Sequence, residues 1–224
     1  MTIKAYVYDA YGTLFDVHSV TEKAEFLFSG HGAAISEEWR KKQVEYFMLH
    51  QLTGTYIPFS EITRNALLYT LKKFSLQCKE DALDSLMEAY LELQVYEEVP
   101  ETLHKIQQNN VKQVIFSNGT YKMLKPLIEK RELTDVIDLL SIEDVKQYKP
   151  APAAYQYAQE TLAVNRDEIL FMSSNYWDIT GAATYGFKTA WINRGNQPMD
   201  VLGVTPHYIF ASLNDLLKEK ELHS

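Results

Sequence analysis

Asp9 stands directly after the β-branched and aromatic run 3–8, and three further polar groups sit where apolar runs end: Ser117-Asn118 after 114–116, Lys149 before Pro150, and 173–178 after 169–172. One polar residue after a strand is ordinary loop chemistry. In a doubly wound sheet, however, ligands bind outside the carboxyl ends of the strands. Four polar groups meeting on one edge therefore read as an active site. Carboxylates, a lysine and hydroxyls are the side chains of nucleophilic and acid–base chemistry. Arg40 adds a cation from elsewhere in the chain, on one helical stripe with Val44, Phe47 and Met48 at offsets of four, seven and eight. An arginine on an apolar stripe must find an anion or carry its guanidinium outward to water.

The elements that would position these groups follow from periodicity. Strands are expected over 3–8, 114–116, 137–141, 169–172, 188–192 and 208–210, alternating after Pro100 with helices over 100–109, 121–131, 151–163, 177–185 and from 212 onward. Short apolar strands alternating with helices of about 10–15 residues specify a parallel sheet covered on both faces. Between 19 and 97 the period is helical, as in Leu83, Leu86, Met87, Tyr90 and Leu91, with further helices over 36–52 and 60–76 and no convincing strand. The expected fold class is α/β, a Rossmann-like parallel-sheet core (1–14 and 98–224) with an inserted helical cap domain (15–97).

Composition narrows the function. The 224 residues fit one domain with an insertion at about 150 residues per domain. The single cysteine, Cys78, excludes an intrachain disulfide and a cysteine-based zinc site, and the six histidines are too scattered for a local metal motif. Twenty-two basic against 30 acidic residues give a net charge of −8, with no basic run longer than Arg40-Lys41-Lys42, which disfavours nucleic acid and anionic membranes as partners. No apolar run approaches the ~20 residues of a membrane span, and the N-terminus lacks the layout of a signal peptide. A cytoplasmic location is expected. The charged tail Lys218-Glu219-Lys220-Glu221 reads as a solvated helix end.

The stretch Asp9-Ala10-Tyr11-Gly12-Thr13, then Ser117-Asn118-Gly119, Lys149-Pro150 and Ser173-Ser174-Asn175-Tyr176-Trp177-Asp178, resembles the four ordered motifs of the haloacid dehalogenase superfamily. With Trp39-Arg40 and the residues to Tyr46, the pattern is similar to its L-2-haloacid dehalogenase branch over nearly the whole chain. Superfamily phosphatases carry a second aspartate where Tyr11 stands, to protonate a leaving alcohol, and a further acidic magnesium ligand where Ser174 stands. Tyrosine is a poor acid at neutral pH, and magnesium wants more carboxylate than remains once Asp9 serves as nucleophile. A halide needs no proton on leaving, so neither absence hinders dehalogenation.

The resemblance implies hydrolytic dehalogenation of small L-2-haloalkanoic acids to D-2-hydroxy acids, without metal or other cofactor. Asp9 would be the nucleophile and Thr13 would orient it. Backbone N–H groups of Ala10 and Tyr11, with Ser117 and Asn118, would hold the substrate carboxylate. Arg40 would clamp halide and carboxylate, and Val44, Phe59 and Trp177 would wall the pocket. Lys149 would pair with Asp9, and Tyr155 would join that network. Ser173, Asn175 and Asp178 would position and polarise the hydrolytic water, with Asp178 as base or as a mere anchor for Lys149. Each residue also has a plainer reading: Asp9 as a strand-end or capping aspartate, Thr13 and Ser117-Asn118 as turn formers, Lys149 as a surface residue, Tyr155 and the three walls as packing. Lys41 stands where the branch usually has glutamine, so a second cation at the pocket is expected to alter substrate size or halide preference, with fluoroacetate or a non-halogenated acid left open. A magnesium-dependent phosphatase and a non-catalytic carboxylate-binding protein are the alternatives. The branch commonly forms homodimers, though no residue here fixes an interface.

Overall fold

The computed structural model describes residues 2–77, 79–109 and 111–219. Cys78 and the tail residues Lys220 and Glu221 lie outside them. The chain opens with β1 (Ala5–Tyr8), every residue of which is buried, as a strand covered on both faces requires. A turn through Asp9 and Gly12 leads to the two-residue β2 (Phe15–Asp16). Four helices follow: α1 (Thr21–Leu27), α2 (Gly32–Thr53), α3 (Phe59–Lys73) and α4 (Glu80–Tyr90). The chain then returns through β3 (Gln94–Val95), antiparallel to β2. The remainder alternates as α5 (Val99–Gln107), β4 (Lys112–Ser117), α6 (Tyr121–Glu129), β5 (Asp138–Ser141), α7 (Pro152–Leu162), β6 (Ile169–Ser173), α8 (Tyr176–Tyr185), β7 (Lys188–Ile192) and β8 (Tyr208–Phe210), closing in a 3₁₀ turn, Leu213–Lys218.

The six main strands form one parallel sheet in the order β5-β4-β1-β6-β7-β8. The α/β parallel-sheet expectation holds. β1 is central, pairing Ala5 with Lys112 on one side and with Ile169 on the other. The chain leaves β1 first toward β4 and β5, then doubles back to β6, β7 and β8. The direction of travel therefore reverses at β1, and the carboxyl ends of β1, β4 and β6 adjoin at that switch point. Right-handed crossovers put helices from the two directions on opposite faces: α7 packs on α8, and α5 packs on the C-terminal 3₁₀ turn.

Local signals explain the boundaries. Pro152 opens α7 at a position where its missing N–H costs nothing. Gly54 (φ 67°) closes α2 in the left-handed region, which an ordinary side chain resists. In α2 the buried positions Ile35, Ser36, Trp39, Gln43 and Phe47 recur at helical spacing and face α1 and α3.

Three expectations are corrected. The stretch 19–97 is not strand-free, because Gln94–Val95 pairs with β2; two residues are too few for alternation to register. The segment from 212 is a 3₁₀ turn, not an α-helix. The helix expected over 36–52 begins four residues earlier, at Gly32. Among the described residues no helix is long and apolar enough to cross a membrane.

Candidate active site

The turn after β1 carries Asp9 into a nearly closed interior, 4% exposed. Its two oxygens are not equivalent. Oδ2 accepts from Thr13 Oγ1 at 3.0 Å, Asn175 Nδ2 at 2.9 Å and Ser173 Oγ at 3.3 Å. Oδ1 accepts from Lys149 Nζ at 3.1 Å. Four elements supply these donors: the turn after β1, the end of β6, the N-terminus of α8 and the segment before α7.

Lys149 is fully buried, so its ammonium needs a partner for each hydrogen. It finds Asp9, Asp178 Oδ2 at 2.5 Å and the Phe116 carbonyl at 2.9 Å. Burial alone would lower its pKa, but the Asp178 and Asp9 carboxylates reverse that and hold it above the ordinary lysine range. Tyr155 donates to Asp178 Oδ1 at 2.6 Å. Burial pushes the Asp178 carboxyl up to about 6; Lys149 pulls it down, Asp9 adds to the rise, and the Tyr155 hydrogen bond lowers it. Burial and then the Asp178 charge raise the Tyr155 phenol well above its usual value, so it stays a donor. Two carboxylates around one ammonium leave a net negative charge, and the next cation is Arg40.

Arg40 reaches down from α2, donating to Asn175 Oδ1 at 3.2 Å and, more weakly, to the Tyr11 carbonyl at 3.4 Å. Beneath it lies a cavity of about 10 Å³ lined by Asp9, Tyr11, Arg40, Phe47, Phe59, Asn118 and Trp177. The Tyr11 ring stacks on Phe59, with centroids 5.7 Å apart, and its hydroxyl oxygen is buried without a hydrogen-bond partner. On the outer side of Tyr11 and Arg40, a second cleft of about 440 Å³ opens to solvent past Arg194.

Asp9, Thr13, Ser173, Asn175, Lys149, Asp178 and Tyr155 thus form one connected network, and Arg40, Tyr11, Asn118, Phe59 and Trp177 meet Asp9 around one cavity. Ala10 is buried in the same turn, its carbonyl accepting from Thr13, Leu14 and Phe15. Besides Ala10, two expected site residues, Val44 and Ser117, belong neither to that network nor to the cavity lining. Val44 is half-buried and does not line the cavity; one turn on, Phe47 does. Ser117 is fully buried, and its Oγ accepts the Gly119 N–H at 3.0 Å, so it shapes the turn beneath. Lys41 is exposed and does not line the cavity, which overturns the second pocket cation: one residue after Arg40 on α2, it is turned to solvent. Asn118 spends its amide on both backbone groups of Lys149, accepting from the N–H at 2.9 Å and donating to the carbonyl at 3.2 Å. Sequence reasoning missed Tyr90, which packs against Tyr11 at 5.4 Å and donates to Gln43 Oε1 at 3.0 Å. Its helical periodicity marked it only as core.

A divalent cation does not fit this donor set. Both carboxylates give an oxygen to the Lys149 ammonium, and the neighbouring Ser174 is a neutral hydroxyl whose Oγ and N–H both bond Thr13 Oγ1, at 3.3 and 2.9 Å, so too few free carboxylate oxygens remain. Among the described residues no group of three metal-ligating side chains occurs.

The model of haloacid dehalogenase-like hydrolases matches residues 3–186. A haloacetate dehalogenase H-2 of Moraxella sp. (strain B) is 40% identical over 207 residues, 92% of each chain. An (S)-2-haloacid dehalogenase of Pseudomonas sp. (strain YL) is 39% identical, covering 96% of this chain and 94% of its own length. The solved structure of L-2-haloacid dehalogenase from Xanthobacter autotrophicus with chloropropionic acid covalently bound superposes with a TM-score of 0.93 at 33% identity, over 98% of this chain and 99% of that one.

Proposed function

The chain belongs to the haloacid dehalogenase-like hydrolases, and on that premise we propose that it hydrolyses small L-2-haloalkanoic acids to D-2-hydroxy acids and halide through an ester on Asp9. The observation that carries this reading is a carboxylate held by four donors, one of them a buried lysine, facing a cavity under an arginine.

In the first half-reaction the Asp9 carboxylate attacks C2 from the side opposite the halogen. A C–O bond forms, the C–halogen bond breaks, and the halide leaves with the electron pair, inverting C2. Thr13, Asn175 and Ser173 fix the carboxylate's orientation, which converts binding into reactive alignment. Arg40 offers its guanidinium to the substrate carboxylate and the departing halide, charge stabilisation that is strong in a dry site. Ala10, Tyr11, Ser117 and Asn118 shape the carboxylate-binding end, while Phe47, Phe59 and Trp177 surround the alkyl group.

In the second half-reaction water attacks the ester carbonyl of Asp9 and the bond from that carbon to the substrate oxygen breaks; that oxygen takes one proton of the water, relayed by the base, to leave as the hydroxy acid, and the other passes to solvent as Asp9 returns to carboxylate. Asp178, with a pKa of about 6, is ionised at neutral pH and basic enough to take the proton of that water. Tyr155 and Lys149 hold it in place, and Ser173 and Asn175 border the water's approach. The segment 15–97 acts as a helical cap on a core of 1–14 and 98–224. The substrate is a small acid met in the cytoplasm, and the net charge of −8 supports no nucleic-acid partner.

Halide release from L-2-chloropropionate in excess EDTA, with Asp9→Asn alongside, tests the reading. Release by the native enzyme that persists in EDTA and vanishes in Asp9→Asn is expected. Magnesium-dependent phosphate release from a phosphate ester, with no halide release, would overturn it.

A further inference from the structure

The cavity above Asp9 holds about 10 Å³, room for roughly one water molecule and not for a haloacid. Admitting a haloacid therefore requires the side chains over Asp9, with Arg40, Phe47 and Phe59 coming from α2 and α3, to part. A cleft of about 390 Å³ already separates Tyr56 and Pro58 of the cap from Thr120, Glu143 and Lys146 of the core. At this side the two parts are joined by Gln51, near the C-terminus of α2. Its Oε1 accepts the Tyr148 N–H at 2.7 Å, and its Nε2 donates to Gln147 Oε1 at 2.9 Å. The Tyr148 hydroxyl completes the junction, donating to the Ile57 carbonyl at 2.7 Å. The very next peptide N–H, that of Lys149, is held from the sheet by Asn118. Successive peptide units are thus gripped by one side-chain amide each, the first from the cap and the second from the core.

We propose that Gln51 is a positioning residue for dehalogenation: by bonding the Tyr148 N–H it ties seating of the cap to the placement of Lys149 against Asp9. The proposal rests on the dehalogenase reading of the site. Lys149 is the donor to Asp9 Oδ1, at 3.1 Å, so a small retreat of its backbone loosens that contact. The nucleophile is then fully oriented only when the cap is down and water has been squeezed out. Premature exposure of the carboxylate pair is avoided by the same link.

The test compares native enzyme, Gln51→Ala and Gln51→Glu in two measurements. The first is the rate at which the Lys149 amine is methylated by formaldehyde and borohydride, read by mass spectrometry with Lys112 as internal reference. The second is single-turnover halide release from L-2-chloropropionate across pH. Gln51→Ala is expected to raise Lys149 labelling about tenfold relative to Lys112 and to slow halide release by a similar factor, in keeping with about 1.4 kcal/mol for one cross-link. Its acidic limb should move to higher pH. Asp178 is faced by Lys149, Asp9 and Tyr155, and a displaced Lys149 no longer pulls its titration down. Gln51→Glu keeps an oxygen for the Tyr148 N–H, with the Gln147 amide turned to donate, and should restore both measurements. Unchanged labelling in Gln51→Ala, or labelling that rises equally at Lys112, would overturn the proposal whatever the activity. A labelling response in a protein that releases no halide would leave the link standing and remove the dehalogenase reading instead.

Discussion

Tyr155 illustrates how much of this site depends on single atoms. Its ring packs against Phe116, Phe171, Tyr185 and Phe187, so Tyr155→Phe keeps the packing and deletes only the hydroxyl's hydrogen bonds to the Asp178 carboxylate and carbonyl. The bond to the carboxylate lowers the Asp178 pKa, so the acidic limb of halide release should shift upward from about 6 in this variant, seen in a pH–rate profile. A second test lies at Gly181 in α8. Alanine is normally favoured over glycine inside a helix by about 1 kcal/mol. Here, however, a Cβ would stand 2.4 Å from the Tyr155 hydroxyl and 2.6 Å from Pro150. Gly181→Ala should therefore lower both the melting temperature and the turnover, the reverse of the propensity expectation; thermal melts beside halide assays check it. At this scale the sequence was readable where a residue type is chemically unusual in its place, as with Asp9, Lys149 and Arg40. It was silent where the residue is chemically ordinary. Phe47 and Val44 are both apolar on one stripe, and only the packed structure shows that Phe47, not Val44, lines the cavity.

Among the elements, the β2–β3 ribbon and the loop after β7 govern how the cap is hung. Arg194 donates to the Gly12 and Thr13 carbonyls at 3.4 and 2.9 Å on the outgoing passage, and to Glu98 Oε1 at 2.6 Å on the return. Its guanidinium lies 3.8 Å from the Tyr96 ring centre. One side chain so fastens both crossings between sheet and cap. Removing it leaves the partly buried Glu98 without its cation, so Arg194→Ala should cost about 2 kcal/mol, measured by denaturant unfolding. Because Asp9 and Thr13 share that turn, turnover should fall with it. The alternation of strands and helices after Pro100 was legible because each strand is a continuous apolar run set between polar turns. The ribbon was not: two residues per strand carry no periodicity, and what makes them strands is the pairing of Phe15 with Val95 and Asp16 with Gln94, about 80 residues apart in the chain.

For the whole molecule, catalysis and folding should fail in separate pH ranges. The folded-state pKa of Asp178 lies above its unfolded value, so the native state binds this proton more readily than the unfolded chain does. Lowering the pH through about 6 thus protonates Asp178, and with it the proposed base, without loss of stability from this group. The carboxylates that stabilise the fold behave oppositely. Glu98 is lowered by Arg194 against its own burial, and Asp215 by Lys218 and two backbone N–H groups against burial. Their contributions are complete above the unfolded values near 4 and are lost only as pH falls through the depressed ones. Activity should therefore decline around pH 6 while circular dichroism stays native to about pH 4. The central place of β1 in the sheet bears on something else, the order in which a ribosome delivers the parts. The first strand made is the one that needs the most later chain: Tyr8 bonds Gln113, 105 residues on, and Asp9 meets Asn175, 166 residues on. The cap helices, by contrast, find one another within a short stretch. Synthesis thus presents a nearly complete helical bundle tethered to an unpaired apolar strand, and that strand must be sheltered from other nascent chains until β4 and β6 emerge.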